Sequence, residues 1–202
     1  MSRSTHAWTL GFALALGACG TSGKSAQQTK LFLDEHHVDP AGLSLDGVAA
    51  AHQKDLAAEG ALGVDYQRYW VDTKSGTIFC LVRAPSAQAA ADVHRTAHGL
   101  MADEIREVQP GILPAAPSGK RLFMDTHEVG PGLRAADVAE AHKKDLAVQA
   151  AHGVRFLEYW VDEAGGRIHC LVEAPDAEAA ASVHREAHGL LADSIFPVAE
   201  GV

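Results

Sequence analysis

The fold of this chain is decided by a stretch that occurs twice. Residues 69–85 read YWVDTKSGTIFCLVRAP, and residues 159–175 read YWVDEAGGRIHCLVEAP. In each copy an alternating run passes through a polar turn into a second alternating run, which is typical of two strands joined by a turn. The closing proline suits the first turn of a helix. The stretch therefore predicts a strand–turn–strand–helix order, repeated 90 residues later.

The repeat extends well beyond this stretch. Residues 43–108 align without gaps with residues 133–198, and 38 of the 66 positions are identical. One extra residue near Asp39 shifts the alignment of the first strands to an offset of 91. Between the copies, residues 109–119 are rich in proline and glycine, and we predict that they form a linker.

Within each copy the pattern predicts a ferredoxin-like unit. Residues 31–38 alternate as a strand, residues 44–60 have helical spacing with Ser44 as N-cap, and residues 104–108 form a last short strand. Gly99 is expected to end the second helix in a left-handed conformation. The resulting order is βαββαβ, which covers one sheet face with helices and leaves the other bare. We therefore expect an α+β fold in which the two repeats pack sheet to sheet, as an intramolecular dimeric α/β barrel.

The composition excludes some functions and points to another. The 202 residues include 26 acidic and 17 basic side chains, giving a formal charge of −9. Nucleic-acid binding is excluded because phosphate contacts need clustered lysine and arginine. The 12 histidines stand out, because imidazole is the commonest metal ligand and titrates near neutral pH.

The first residues predict export. Arg3 precedes an uncharged run over residues 7–16, and the run ends in Leu-Gly-Ala-Cys at Cys19. This ending resembles the lipobox of bacterial lipoproteins, so we predict lipidation of Cys19 and anchoring on the periplasmic or cell-surface side, with the lipid as the sole membrane contact. A plain secreted protein is the alternative. The predicted boundaries are a signal peptide at 1–19, a tether at 20–29, a first repeat at 30–108, a linker at 109–119 and a second repeat at 120–198.

Eight of the histidines occur at repeat-matched positions. In the predicted second helix, His94 and His98 are four residues apart, so their rings lie one turn apart on the same face. This spacing lets a helix offer two imidazoles to one transition metal. The alternative for His98 is an interaction with the C-terminal end of the helix dipole. We predict a metal site without catalytic residues, and the candidate ligands are His36, His52, His94, His98, His127, His142, His184 and His188.

Carboxylates and thiols accompany these histidines. Asp34 and His36 share one face of the first strand, as a ligand pair or an ordinary ion pair. His52 is either a buried core residue or a ligand, and Asp55, three residues later, is its expected hydrogen-bond partner. Cys80 and its counterpart in the second copy are predicted to be small buried hydrophobic residues, although thiolate ligands or a disulfide between them stay open.

The repeat resembles a known family through several short blocks. It is similar to the small bacterial nickel-binding proteins of domain-of-unknown-function family 4242. The blocks are Asp34-x-His36, His52-x-Lys54-Asp55-Leu56, Trp70-Val71-Asp72, Cys80-Leu81-Val82 and His94 to Gly99. The resemblance implies ferredoxin-like domains that pair into barrels and that bind a divalent metal through histidine, Ni²⁺ foremost. Imidazole-rich sites also suit Zn²⁺ and Cu²⁺.

Three functions are consistent with these patterns. The first is an exported metal-binding protein whose partner is the ion, and whose affinity should fall as the pH drops through about 6.5. The second is a small-molecule-binding protein or oxidative enzyme of the dimeric α/β barrel type, with a cavity between the sheets lined by His36, His127 or His169. The third is a structural module in which the histidines only pack. Further homo-oligomerisation is open in each case.

Overall fold

The computed structural model describes Met1, residues 28–112 and residues 118–202. The predicted lipidation site at Cys19, nearly all of the signal peptide and most of the tether lie outside the described residues, as does the centre of the linker. In the part of the chain that is described, no helix is both long enough and apolar enough to cross a membrane.

Both repeats have the predicted βαββαβ order. The first repeat contains β1 (Lys30–His37), α1 (Leu45–Ala58), β2 (Asp65–Asp72), β3 (Thr77–Ala84), α2 (Ala87–Ala97) and β4 (Glu104–Glu107). The rest of the chain contains β5 (Gln109–Ile112), β6 (Leu122–Glu128), α3 (Ala135–Val148), β7 (Arg155–Asp162), β8 (Arg167–Glu173), α4 (Ala177–Ala187) and β9 (Ser194–Gly201). The predicted α+β fold is confirmed.

Local hydrogen bonds explain where the helices begin and end. The Ser44 hydroxyl accepts the N–H of Gly47, as predicted for the N-cap of α1, and Ser86 caps α2 in the same way. Gly99 and Gly189 adopt positive φ angles of 79° and 78°, which a side chain would strain. The second helix of each repeat therefore ends just before its second histidine, and His98 and His188 are the C-cap residues.

Strand exchange between the repeats closes the sheet into a barrel. All strand pairs are antiparallel, in the order β4-β1-β3-β2-β9-β6-β8-β7-β5. The edge strands β4 and β5 are separated by Val108 alone, so one continuous segment joins the two edges of the sheet. At the other seam, the first part of β9 pairs with β6 and its last residues pair with β2. Each repeat therefore extends its final strand onto the other repeat.

Strand exchange places part of the predicted linker in the sheet. Residues 109–112, which the sequence assigns to the linker, form β5 and pair with β7 of the second repeat. Their proline and glycine favour a loop locally, but the edge of β7 offers unpaired backbone groups that they can satisfy.

The barrel interior is filled by large apolar side chains. The rings of Trp70 and Trp160 meet there with centroids 5.0 Å apart, one from each repeat. The other buried members of this cluster are Leu31, Leu33, Phe79, Leu81, Val108, Met124, Leu157 and Leu171. The faces that would be bare in a single repeat therefore cover each other.

A separate core lies beneath the helices of each repeat. Cys80 belongs to the first of these cores and Cys170 to the second, and both are buried free thiols. The disulfide that the sequence left open is therefore not formed, because the two thiols lie in different cores. The histidine–carboxylate clusters border these two cores.

Removing one tryptophan tests the barrel interior. Trp160→Ala should lower the free energy of unfolding by about 3–5 kcal/mol, because it opens a cavity between the two repeats. Chemical denaturation measures the change. Leu45→Ala is the matched control, since Leu45 is exposed and the equivalent residue of the second repeat, Ala135, is already alanine. Equal, small effects of both substitutions would contradict a shared core.

Candidate metal centre

The candidate site of the first repeat lies between the sheet and its two helices. On β1, Asp34 and His36 alternate with Leu33, which faces the barrel interior, so both polar side chains face the helices. Helix α1 contributes Asp55 and helix α2 contributes His94. The predicted shared face of Asp34 and His36 is confirmed.

His94 is held between two carboxylates. Its Nδ1 lies 3.1 Å from Asp55 Oδ1, and its Nε2 lies 3.1 Å from Asp34 Oδ2. All three side chains are buried, with 2% of the imidazole and none of the Asp34 carboxylate exposed. This arrangement ties β1, α1 and α2 together through one imidazole ring.

The second repeat reproduces this geometry closely. His184 Nδ1 lies 3.2 Å from Asp145 Oδ1, and its Nε2 lies 3.1 Å from Asp125 Oδ2. Burial alone would lower the pKa of either histidine, but hydrogen bonds to the two carboxylates, together with their negative charges, raise the pKa of His94 and of His184 to about 9. Without a metal, both imidazoles are therefore protonated on both ring nitrogens, and so positively charged, at neutral pH.

The carboxylates of the two repeats differ in their protonation equilibria. Burial raises the pKa of Asp34, and the hydrogen bond and charge of His94 only partly oppose the rise. At Asp125 burial acts in the same direction, but the polar contacts and charges of His127 and His184 outweigh it and lower the pKa. The same balance of burial and histidine contacts lowers the pKa of Asp145.

On the first strand, His36 offers an unprotonated nitrogen. Burial, reinforced by the charges of His94 and His98, lowers the pKa of His36 to about 4, so its imidazole is neutral at physiological pH. The centroid of its ring lies 5.0 Å from that of His94. In the second repeat the rings of His127 and His184 are 4.9 Å apart. A neutral imidazole is the form that binds a metal.

The second histidine of each helix is already engaged on both nitrogens. The N–H of Leu100 donates to His98 Nδ1 at 3.0 Å, and His98 Nε2 lies 3.1 Å from Asp55 Oδ1. Because Nδ1 accepts a hydrogen bond, Nε2 carries the ring proton and donates a hydrogen bond to the carboxylate. His188 repeats this arrangement with the N–H of Leu190.

The histidines of the first helices, His52 and His142, are both buried but differ in their contacts. His52 is buried, and neither of its ring nitrogens has a hydrogen-bond partner among the described residues. The expected bond from Asp55 to His52 is therefore wrong, because Asp55 turns to α2 and binds His94 and His98 instead. In the second repeat the corresponding contact is kept at ion-pair distance, with His142 Nδ1 3.3 Å from Asp145 Oδ2, and His142 Nε2 lies 3.4 Å from the Cys170 sulfur.

The structure gathers six of the eight predicted histidines into close groups with carboxylates. Ligand atoms within 4.8 Å of one another are offered by Asp34, His36 and His94; by Asp55, His94 and His98; by Asp125, His127 and His184; and by Asp145, His184 and His188. His52 and His142 lie instead on the walls of the cavities in front of these groups, which have volumes of about 380 Å³ and 650 Å³. The sequence pointed to the aspartates as neighbours of the histidines, but not as members of a single cluster.

One residue of the site was missed. The hydroxyl of Tyr66 lies 2.9 Å from Asp34 Oδ2 and 3.0 Å from His94 Nε2, and the residue is buried. Phe156 occupies the matching position of the second repeat. The sequence therefore contained a signal for Tyr66, because the two repeats have identical donor residues but differ at this position.

These donor groups fit a divalent transition metal. Asp34 Oδ1 and Asp125 Oδ1 are buried and, within the described part of the chain, have no hydrogen-bond partner. An unpaired buried carboxylate oxygen is costly, and a cation would satisfy it. The separation of 3.1 Å between Asp34 Oδ2 and His94 Nε2 also suits adjacent ligands at about 2.1 Å from one ion.

One of the three histidines expected between the sheets lies in the barrel interior. His169 is buried there, beside Thr126 and 5.5 Å from the ring of Phe79. Burial lowers its pKa to about 3. Of the three histidines expected to line a cavity between the sheets, His169 lies there, whereas His36 and His127 face the helices on the opposite side of the sheet.

Two ferredoxin-like repeats, closed into one barrel and each carrying a buried histidine–carboxylate cluster, define a tandem α/β barrel protein with two candidate metal centres. The chain belongs to the family of nickel-responsive proteins described as SCO4226-like, which matches residues 32–108 and again residues 123–198. The family resemblance inferred from the sequence is therefore confirmed at the level of a nickel-responsive family, once in each repeat.

Several solved structures are similar to this chain. SCO4226 from Streptomyces coelicolor A3(2) is 42% identical over 38% of this chain and 93% of its own, with a TM-score of 0.36. Chlorite dismutase from Candidatus Nitrospira defluvii, in complex with imidazole, is 7% identical over 87% of this chain and 92% of its own, with a TM-score of 0.50. This second likeness concerns the fold alone. No curated protein matches the chain.

The buried ion pairs of His94 and His184 predict how the free energy of unfolding depends on pH in the absence of metal. Because the pKa of His94 and His184 rises from about 6.5 in the unfolded chain to about 9 in the folded one, the folded state binds more protons between these values. The stabilisation should be complete below pH 6.5 and should be lost as the pH rises through 9. Chemical denaturation in the presence of a chelator, at pH 7 and pH 9.5, measures this loss. An unchanged free energy of unfolding over that interval would contradict the buried ion pairs.

Proposed function

We propose that this protein binds a divalent transition metal, Ni²⁺ foremost, at one site in each repeat. The observation that carries the proposal is the duplicated buried cluster, in which a carboxylate with an unpaired oxygen faces two histidines. The nickel-responsive family description supports the identity of the ion. Zn²⁺ and Cu²⁺ suit the same nitrogen and oxygen donors, so they are the competing ions.

We assign the metal of the first repeat to Asp34, His36 and His94. These three side chains are buried, His36 is neutral, and Asp34 Oδ1 has no hydrogen-bond partner among the described residues. Binding through His94 Nε2 leaves its Nδ1 facing Asp55, and a carboxylate in that position orients a ligating imidazole. The corresponding ligands of the second repeat are Asp125, His127 and His184.

His98 and His188 have a positioning role in this proposal. Ligation through His98 Nε2 would require the loss of the proton that it donates to Asp55, while its Nδ1 is held by the backbone of Leu100. The close spacing of His94 and His98 therefore serves to fix Asp55, which in turn orients His94. His52 and His142, on the cavity walls, are not assigned as ligands.

Metal binding displaces a proton in this scheme. Since His94 and His184 are protonated at neutral pH, each bound ion must release the proton from one imidazole. The affinity should therefore fall with acidification from about pH 9 downward. This window lies above the one near pH 6.5 that an unperturbed histidine predicts.

The cellular role that we propose is storage, buffering or delivery of the ion, with the metal as cargo. Export and lipid anchoring through Cys19 belong to this proposal and rest on the apolar run and the Leu-Gly-Ala-Cys ending. Metal-dependent growth of a strain whose chain carries Cys19→Ala, together with its membrane fractionation, would test the anchoring separately from metal binding.

Calorimetry with Ni²⁺ on matched double variants tests the ligand assignment. The unmodified chain should bind two ions, and His36→Ala/His127→Ala should weaken both sites by more than about 100-fold, because each loses a direct ligand. His98→Ala/His188→Ala should weaken them by only about 10-fold to 100-fold, the range for residues that orient a ligand.

The control for this comparison is His37→Ala, since His37 is exposed and lies outside the clusters. Far-ultraviolet circular dichroism verifies that each variant is folded. Unchanged nickel binding in the His36→Ala/His127→Ala variant would contradict the assigned ligands. The absence of binding by the unmodified chain would contradict the function itself.

A further inference from the structure

The two candidate metal centres differ at one position that contacts the donor atoms. Tyr66 in the first repeat corresponds to Phe156 in the second, and both rings are buried in the helix–sheet cores. The carboxylates and histidines around them are the same in both repeats. The hydroxyl group of Tyr66 is therefore a chemical difference built into otherwise matched sites.

The Tyr66 hydroxyl lies among the proposed ligands. It is 2.9 Å from Asp34 Oδ2, 3.0 Å from His94 Nε2 and 3.1 Å from the carbonyl oxygen of Ala90. Asp34 Oδ2 and His94 Nε2 are themselves 3.1 Å apart, so the three polar atoms form a nearly equilateral triangle. An ion that binds both ligand atoms must enter beside a hydroxyl that already contacts both of them.

Among the described residues, no hydroxyl takes this place in the second repeat. Phe156 packs against His184 with ring centroids 5.2 Å apart and has no polar atom to offer. Asp125 Oδ2 lies 3.1 Å from His184 Nε2, while Asp125 Oδ1 lies 3.6 Å from His127 Nε2, which is too long for a hydrogen bond. An ion entering this site breaks no hydrogen bond from a tyrosine.

From this difference we infer that the two metal centres have unequal affinities and that Tyr66 sets the difference. The inference rests on the proposed function. Hydrogen bonds to charged groups are stronger than those between neutral groups, so the contact of the phenol with Asp34 must be broken or weakened before that carboxylate binds a cation. The second repeat should therefore fill first, and the first repeat should bind about tenfold or more weakly.

Unequal sites would give the protein a graded response. Two equal and independent sites change from mostly empty to mostly filled over one range of metal concentration. Separating their affinities by about tenfold widens that range, so occupancy follows the ion over a broader interval. The duplication would thus widen the range of metal concentration over which the protein responds, in addition to doubling the number of sites.

Exchanging the two aromatic residues tests the inference. Ni²⁺ titrations of the full chain should show two affinities. Tyr66→Phe should tighten the weaker site by about tenfold, bringing it to the stronger one. Phe156→Tyr should weaken the stronger site by a similar factor. His184→Ala and His94→Ala, which each leave one repeat intact, assign the two affinities to their repeats, with the weaker site expected in the His184→Ala variant.

Tyr69→Phe is the matched control, because it removes a phenol from the cavity in front of the first cluster at a position outside the donor groups. It should leave both affinities unchanged. Two equal sites in the unmodified chain, or a Tyr66→Phe variant whose weaker site does not tighten, would overturn the inference while leaving metal binding intact. No nickel binding by any form of the chain would overturn the proposed function as well.

Discussion

Each candidate centre depends on a single buried imidazole that lies between two carboxylates. In the first repeat, His94 joins Asp34 on the sheet to Asp55 on the neighbouring helix, with both contacts at 3.1 Å. Removing one partner from such a buried group leaves the others unpaired, which is strongly destabilising. The positions of α1, α2 and β1 relative to one another are therefore tied to the same atoms that we assign to the metal.

The closed barrel explains why the centres lie where they do. Strand exchange at both seams joins the repeats, and the meeting of Trp70 and Trp160 fills the space between the sheets. The polar residues of β1 and β6 consequently face the helices, where a cavity opens in front of each cluster. Each repeat thus keeps its own centre, and the duplication supplies two centres that can diverge, as Tyr66 and Phe156 show.

Local patterns in the sequence were sufficient to predict most of the fold. The alternation of β1 placed Asp34 and His36 on one face, and the helical spacing placed His94 and His98 one turn apart. Features that depend on distant contacts were not predictable in this way. The strand at residues 109–112 exists because of an edge in the other repeat, and Asp55 contacts His94 on another helix instead of His52 on its own.

The central claim is that nickel binds at the buried Asp–His–His groups beneath the helices. Anomalous diffraction at the nickel absorption edge, from crystals of the nickel-loaded chain, locates the ions directly. We predict two strong peaks, one within bonding distance of Asp34, His36 and His94 and the other at the matched residues of the second repeat. Peaks only at surface histidines such as His37, or inside the barrel beside His169, would contradict the account.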